Sequence, residues 1–167
     1  MSESTTETWN AETNGAAPGA PAAPAAPTAG KPPARVHVTW QGEGRFEAGR
    51  PGGPTQIIDS SAKTGPSPVD TLVSALASCT AVDVVDILAK RRTPVEALTV
   101  DATAPRFAGV PARLTDVELV YHIRGAGIER VHAERAIELA VTKYCSVRDS
   151  LRADVPVTWR LELNGEG

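Results

Sequence analysis

Ser67-Pro68-Val69-Asp70-Thr71-Leu72-Val73-Ser74-Ala75-Leu76-Ala77-Ser78-Cys79-Thr80-Ala81-Val82-Asp83-Val84-Val85-Asp86-Ile87-Leu88-Ala89-Lys90-Arg91-Arg92 decides the fold, because it reads as one long helix. Ser67 suits the N-cap, and Pro68 at the first helical position has no N–H to lose. Asp70 near the start and Lys90 to Arg92 near the end complement the helix dipole, and Pro94 forbids continuation. Leu72, Val73, Leu76, Ala77, Val84, Ile87 and Leu88 form an apolar body, with mostly small residues between them. A helix that is apolar or small nearly all round belongs inside a protein. Asp83 and Asp86 interrupt the run, which argues against a membrane span. Cys79 stands at its centre.

Outside this helix the order of elements is equally legible. Residues 1–34 read as a disordered tail, since 18 of the 20 residues from Gly15 to Ala34 are Ala, Gly or Pro. Trp9 is the tail's one aromatic residue, a stray or a docking anchor. The folded domain is expected over 35–167. Val36, Val38 and Trp40 alternate on one strand face, with further strands near 45–48 and 55–59 before the helix. After Pro94, strands are predicted over 95–104 and 114–124. A second helix follows over 129–144, with Ala133, Ala136, Ile137, Ala140, Val141 and Tyr144 on one stripe that Cys145 extends. A short turn of helix near 146–152 and a strand over 155–163 complete the chain. This is an α+β order, with a long buried central helix, a second helix and antiparallel sheets. The strands are too few to cover such a helix, so the expected state is a homodimer.

The whole chain has 167 residues, a net charge of −3 and two cysteines. Its weak acidity predicts no nucleic-acid or anionic-membrane surface. No secretory signal is visible, and two cysteines without one predict a reducing, cytoplasmic setting in which the thiols are free or redox-active. His37, His122 and His132 share no ligand spacing with the cysteines, so neither metal nor cofactor is expected. Ser74 and Ser78 lack the surroundings of a hydrolase nucleophile. Cys79 and Cys145 both lie on stripes aimed at the core, with small neighbours, and so can approach each other.

Three blocks together resemble the OsmC/Ohr family of thiol peroxidases: Ser67-Pro68-Val69-Asp70-Thr71-Leu72, Ala75-Leu76-Ala77-Ser78-Cys79-Thr80-Ala81-Val82-Asp83-Val84-Val85, and Lys143-Tyr144-Cys145-Ser146-Val147. The resemblance implies an intertwined dimer with sites at the subunit interface. It implies that Cys79 is oxidised by a small organic hydroperoxide, that Cys145 resolves the sulfenic acid to a disulfide, and that an external dithiol reduces the bridge. In the best-known branch an arginine from the first strands and a glutamate directly after the helix-leading proline complete the site. Here Val69 follows Pro68 and the acid is Asp70, the Ser-Pro-apolar-acid form. Asp70 lies about 13.5 Å along and about 180° around an ideal helix from Cys79, so it would act only across a dimer. Arg45 leads the arginine candidates, with Arg50 and Arg148 behind it. Two other readings stand beside this one. The first is a non-catalytic small-molecule binder or redox sensor, favoured by Asp83 one turn after Cys79; the second is a purely structural role for both thiols.

Overall fold

Helix α1 spans Pro68–Lys90 in the computed structural model, which describes residues 30–165. The tail reading, Trp9 included, therefore falls outside the described residues up to position 29. The unit that begins at Arg35 is described here by itself. Ser67 caps α1 in a full capping box: its Oγ accepts the Asp70 N–H at 3.1 Å, and the Asp70 carboxylate accepts the Ser67 N–H at 2.9 Å. These bonds, with Arg106 adding attraction, hold the Asp70 carboxyl below its ordinary pKa.

Two three-stranded sheets flank α1 in sequence. Strands β1 (His37–Trp40), β2 (Arg45–Gly49) and β3 (Thr55–Asp59) form an antiparallel meander. The second sheet contains β4 (Ala97–Thr103), β5 (Val117–Arg124) and β6 (Val157–Leu163). In it β4 and β5 are antiparallel, whereas β5 and β6 are parallel, with Leu119 opposite Trp159 and Tyr121 opposite Leu161. The expectation of antiparallel sheets fails for that pair. The chain between β5 and β6 contains helices, and a crossover of that length returns the strand in the same direction.

Helix α2 covers Arg130–Leu139, one π-helical turn covers Ala140–Tyr144, and a short helix α3 covers Ser146–Ser150. Ala133, Ala136, Ile137, Ala140 and Val141 are buried as the stripe predicts, but Tyr144 is 46% exposed. The π turn is the reason. It adds a residue to the turn and shifts the inward position from Tyr144 to Cys145, which is 3% exposed.

The core lies between α1, α2 and the second sheet, where Leu76, Val84 and Leu88 of α1 meet Val117, Leu119, Tyr121 and Ile123 of β5. Within one chain α1 buries only the stripe Leu76, Thr80, Val84 and Leu88. Val82 is 60% exposed, and Leu72 and Val85 are also open. The expected burial on every side is thus not reached by a single chain. The same holds for Val38 and Trp40 of β1 and for Val36 just before it, all exposed. By length and composition alone α1 would qualify to cross a bilayer (mean hydropathy 1.8), so its two internal aspartates do not exclude a span. The packing of its stripe into a protein core is the stronger observation.

Candidate functional site

Cys79 lies midway along α1, half-buried, one residue before the fully buried Thr80. Cys145 stands where the π turn gives way to α3, and α1 packs against both of those elements. The structure thereby brings together the two sulfurs that the sequence places 66 residues apart (145 − 79), and both are free thiols. The Cys145 thiol is pushed up from an ordinary value of 9.0 to about 11, first by burial and then by its side-chain interaction with Cys79. Burial therefore keeps Cys145 in its thiol form well above neutrality. The Arg148 N–H, 3.3 Å from Cys145 Sγ, acts in the opposite direction but does not overcome burial.

Beneath the pair runs a buried polar chain. The Tyr121 hydroxyl donates to Thr80 Oγ1 at 2.7 Å, and the Thr80 hydroxyl donates to the Ala77 carbonyl at 2.9 Å. Burial pushes the Tyr121 phenol up to about 12, and the nearby Cys145 adds to the rise. Neither Tyr121 nor Thr80 is a sequence-predicted site residue. The available signal was a tyrosine on the inward face of β5, since a buried phenol needs a partner for its O–H.

The other predicted residues lie apart from the sulfurs. Asp70 caps α1 and, with Arg106, lines a separate groove of about 290 Å³. Arg45 opens β2 and pairs with Glu43 at 3.5 Å, while its Nε is buried without a hydrogen-bond partner among the described residues. Arg50 is exposed just after β2. Among the described residues neither arginine makes a hydrogen bond or ion pair with a cysteine. Arg148 comes nearest, reaching Cys145 through its backbone, and its side chain lines a cavity of about 600 Å³ with Lys143, Tyr144, Cys145 and Asp149. Asp83 lines a different cleft, of about 490 Å³, between α1 and α2. Among the described residues no cluster of three metal-ligating side chains occurs. Two neighbouring free thiols can be oxidised singly or joined as a disulfide.

Comparison with known proteins places this geometry. The profile of the OsmC-like protein family matches residues 60–160. Protein YhfA of Escherichia coli is 31% identical over 131 residues, covering 77% of this chain and 97% of the relative. A hypothetical protein from Aquifex aeolicus has a similar structure, with a TM-score of 0.67 at 23% identity over 78% of this chain and 96% of that one. The organic hydroperoxide resistance protein OhrB of Bacillus subtilis gives a TM-score of 0.54 at 14% identity, over 77% and 98% of the two chains, a likeness of fold. With its two cysteine-bearing helical segments, its α+β fold and a family match over more than half of its length, the chain belongs to the OsmC-like protein family.

Proposed function

We propose that the protein is a thiol peroxidase for organic hydroperoxides, acting through Cys79 and Cys145 in a reducing compartment. The observation that carries this reading is the placement of both free thiols where α1 packs against the π turn and α3. In the first step the Cys79 thiolate attacks the terminal peroxide oxygen. The O–O bond breaks, an alcohol leaves with one proton taken up, and Cys79 becomes a sulfenic acid. Cys145 then attacks the Cys79 sulfur, water departs, and a disulfide forms before further oxidation. An external dithiol returns both cysteines to thiols and becomes a disulfide itself.

A second copy of the chain completes the site in this reading. The uncovered Leu72, Val82 and Val85 of α1 and Val36, Val38 and Trp40 in and just before β1 supply the apolar surface for it. A guanidinium reaching Cys79 would then come from across the interface, with Arg45 the leading donor, because none contacts that sulfur within one chain among the described residues. The alternative reading, a redox-sensing or ligand-binding dimer without turnover, is favoured by the cavity of about 600 Å³ beside Cys145.

The test is consumption of cumene hydroperoxide with a dithiol reductant. Wild type should turn over, Cys79→Ser should lose at least about a hundredfold in rate, and Cys145→Ser should complete one oxidation and then stall. Equal, slow consumption by wild type and Cys79→Ser would overturn the enzyme reading in favour of the sensor.

A further inference from the structure

The peroxidase reading leaves open which sulfur of the oxidised pair the reductant attacks. The two thiols have different surroundings. Cys79 is half-buried on α1, whereas Cys145 is 3% exposed and forms part of the wall of the cavity of about 600 Å³. That cavity is built from residues 141–157, and Cys79 is not among its lining. Two of the lining side chains, Lys143 and Arg148, are cations, and among the described residues neither is ion-paired with a carboxylate. Asp149 is the one acid in the lining. An anionic thiolate entering here approaches Cys145 from the cavity, with Cys79 beyond it on α1.

We infer that the cavity beside Cys145 is the entry site for the reductant, a thiolate-bearing molecule, and that it attacks the Cys145 sulfur of the disulfide. The inference rests on the peroxidase reading for its place in the cycle. The new S–S bond joins the reductant to Cys145, the Cys79–Cys145 bond breaks, and the electron pair leaves on Cys79 as a thiolate. A second reductant thiolate then attacks the reductant's own sulfur in the mixed disulfide, releasing Cys145, which takes up a proton, and an oxidised reductant. The direction suits disulfide exchange, in which the better leaving thiolate departs first. Burial raises the Cys145 thiol to about 11, which makes its thiolate a poor leaving group. Peroxide would thus react at Cys79 and reductant at Cys145, and the cycle would end with the Cys79 thiolate regenerated.

The experiment needs no peroxide. The full chain is oxidised with diamide, mixed with substoichiometric thioglycolate, quenched in acid within a second, alkylated at low pH, and mapped by peptide mass spectrometry. The expected product carries thioglycolate on Cys145 and the alkyl label on Cys79. Thioglycolate on Cys79 overturns the inference. In a second measurement Ala153→Phe, at an exposed position on the cavity wall, should slow thioglycolate reduction of the disulfide at least tenfold, and an unchanged rate overturns the inference. If diamide yields no bridge between Cys79 and Cys145, the resolution step of the peroxidase reading fails with it. If the bridge forms and Cys145 is labelled but hydroperoxides are not consumed, the inference stands and the peroxidase reading alone falls.

Discussion

At the residue scale, burial sets the acidity of Cys145. Its folded value, about 11, exceeds its ordinary 9.0 because burial, and after it the neighbouring Cys79, favour the thiol. A pKa raised by folding contributes stability that is fully present below the unfolded value and is lost as pH rises through the folded one. The protein should therefore lose stability between about pH 9 and pH 11, and Cys145→Ala should flatten that part of the stability profile in denaturant titrations. Iodoacetamide should leave Cys145 largely unmodified until the pH approaches 11, since only the thiolate reacts. Early labelling of Cys145 near neutrality would contradict a thiol that burial keeps protonated. Asp59 shows the opposite sign elsewhere. The Ser61 N–H and hydroxyl, each at 2.8 Å, and the Thr64 pair at 3.0 and 2.8 Å hold its carboxyl well below the usual range. It is buried at the end of β3 and organises the loop that leads into α1.

At the scale of elements, α1 was readable in advance because every device that defines it is local. The Ser67 cap, Pro68, the apolar stripe and the stop at Pro94 act within a few residues of one another. Ser67→Ala should cost about 1 kcal/mol, measurable as a lower Tm, and Ser67→Asn should recover most of it. The two cysteine blocks were legible for the same reason. The parallel β5 and β6 pairing was not, because strand direction is set by the whole crossover rather than by either strand. The Tyr121 to Thr80 hydrogen bond joins residues 41 apart, and no periodicity forecasts that partnership. Nor could alternation along β1 say whether its apolar face is covered, and Val38 and Trp40 are in fact open in the single chain. The first-turn position of Asp70 was likewise legible, and within one chain the residue holds the helix start.

For the molecule as a whole, the apolar residues left open on α1 and on the first sheet belong to two different elements. A stable interface of ordinary size buries about 1,600 Å² in total, and two such faces supply aromatic and branched side chains suited to its centre. Sedimentation should accordingly report twice the chain mass of 17.5 kDa. Trp40→Glu should shift the protein toward monomer at micromolar concentration, at least tenfold in dissociation constant, and slow peroxide consumption in parallel. A wild-type monomer would leave Arg45 without a route to Cys79. It would also oblige the chain to be active, if at all, without a guanidinium from a neighbour.

The single surplus residue in the turn from Ala140 to Tyr144 fixes the phase of everything after it. Deleting Thr142 while winding the turn as ordinary α-helix removes one residue and one residue's worth of phase together, so the thiol keeps its inward position. Such a deletion should leave far-ultraviolet circular dichroism and the diamide-induced bridge nearly unchanged, and loss of the bridge would show that the wide turn itself holds the thiol in place. For the proposed pair of sulfurs, the winding of that one turn, set against its residue count, decides which side chain faces the core.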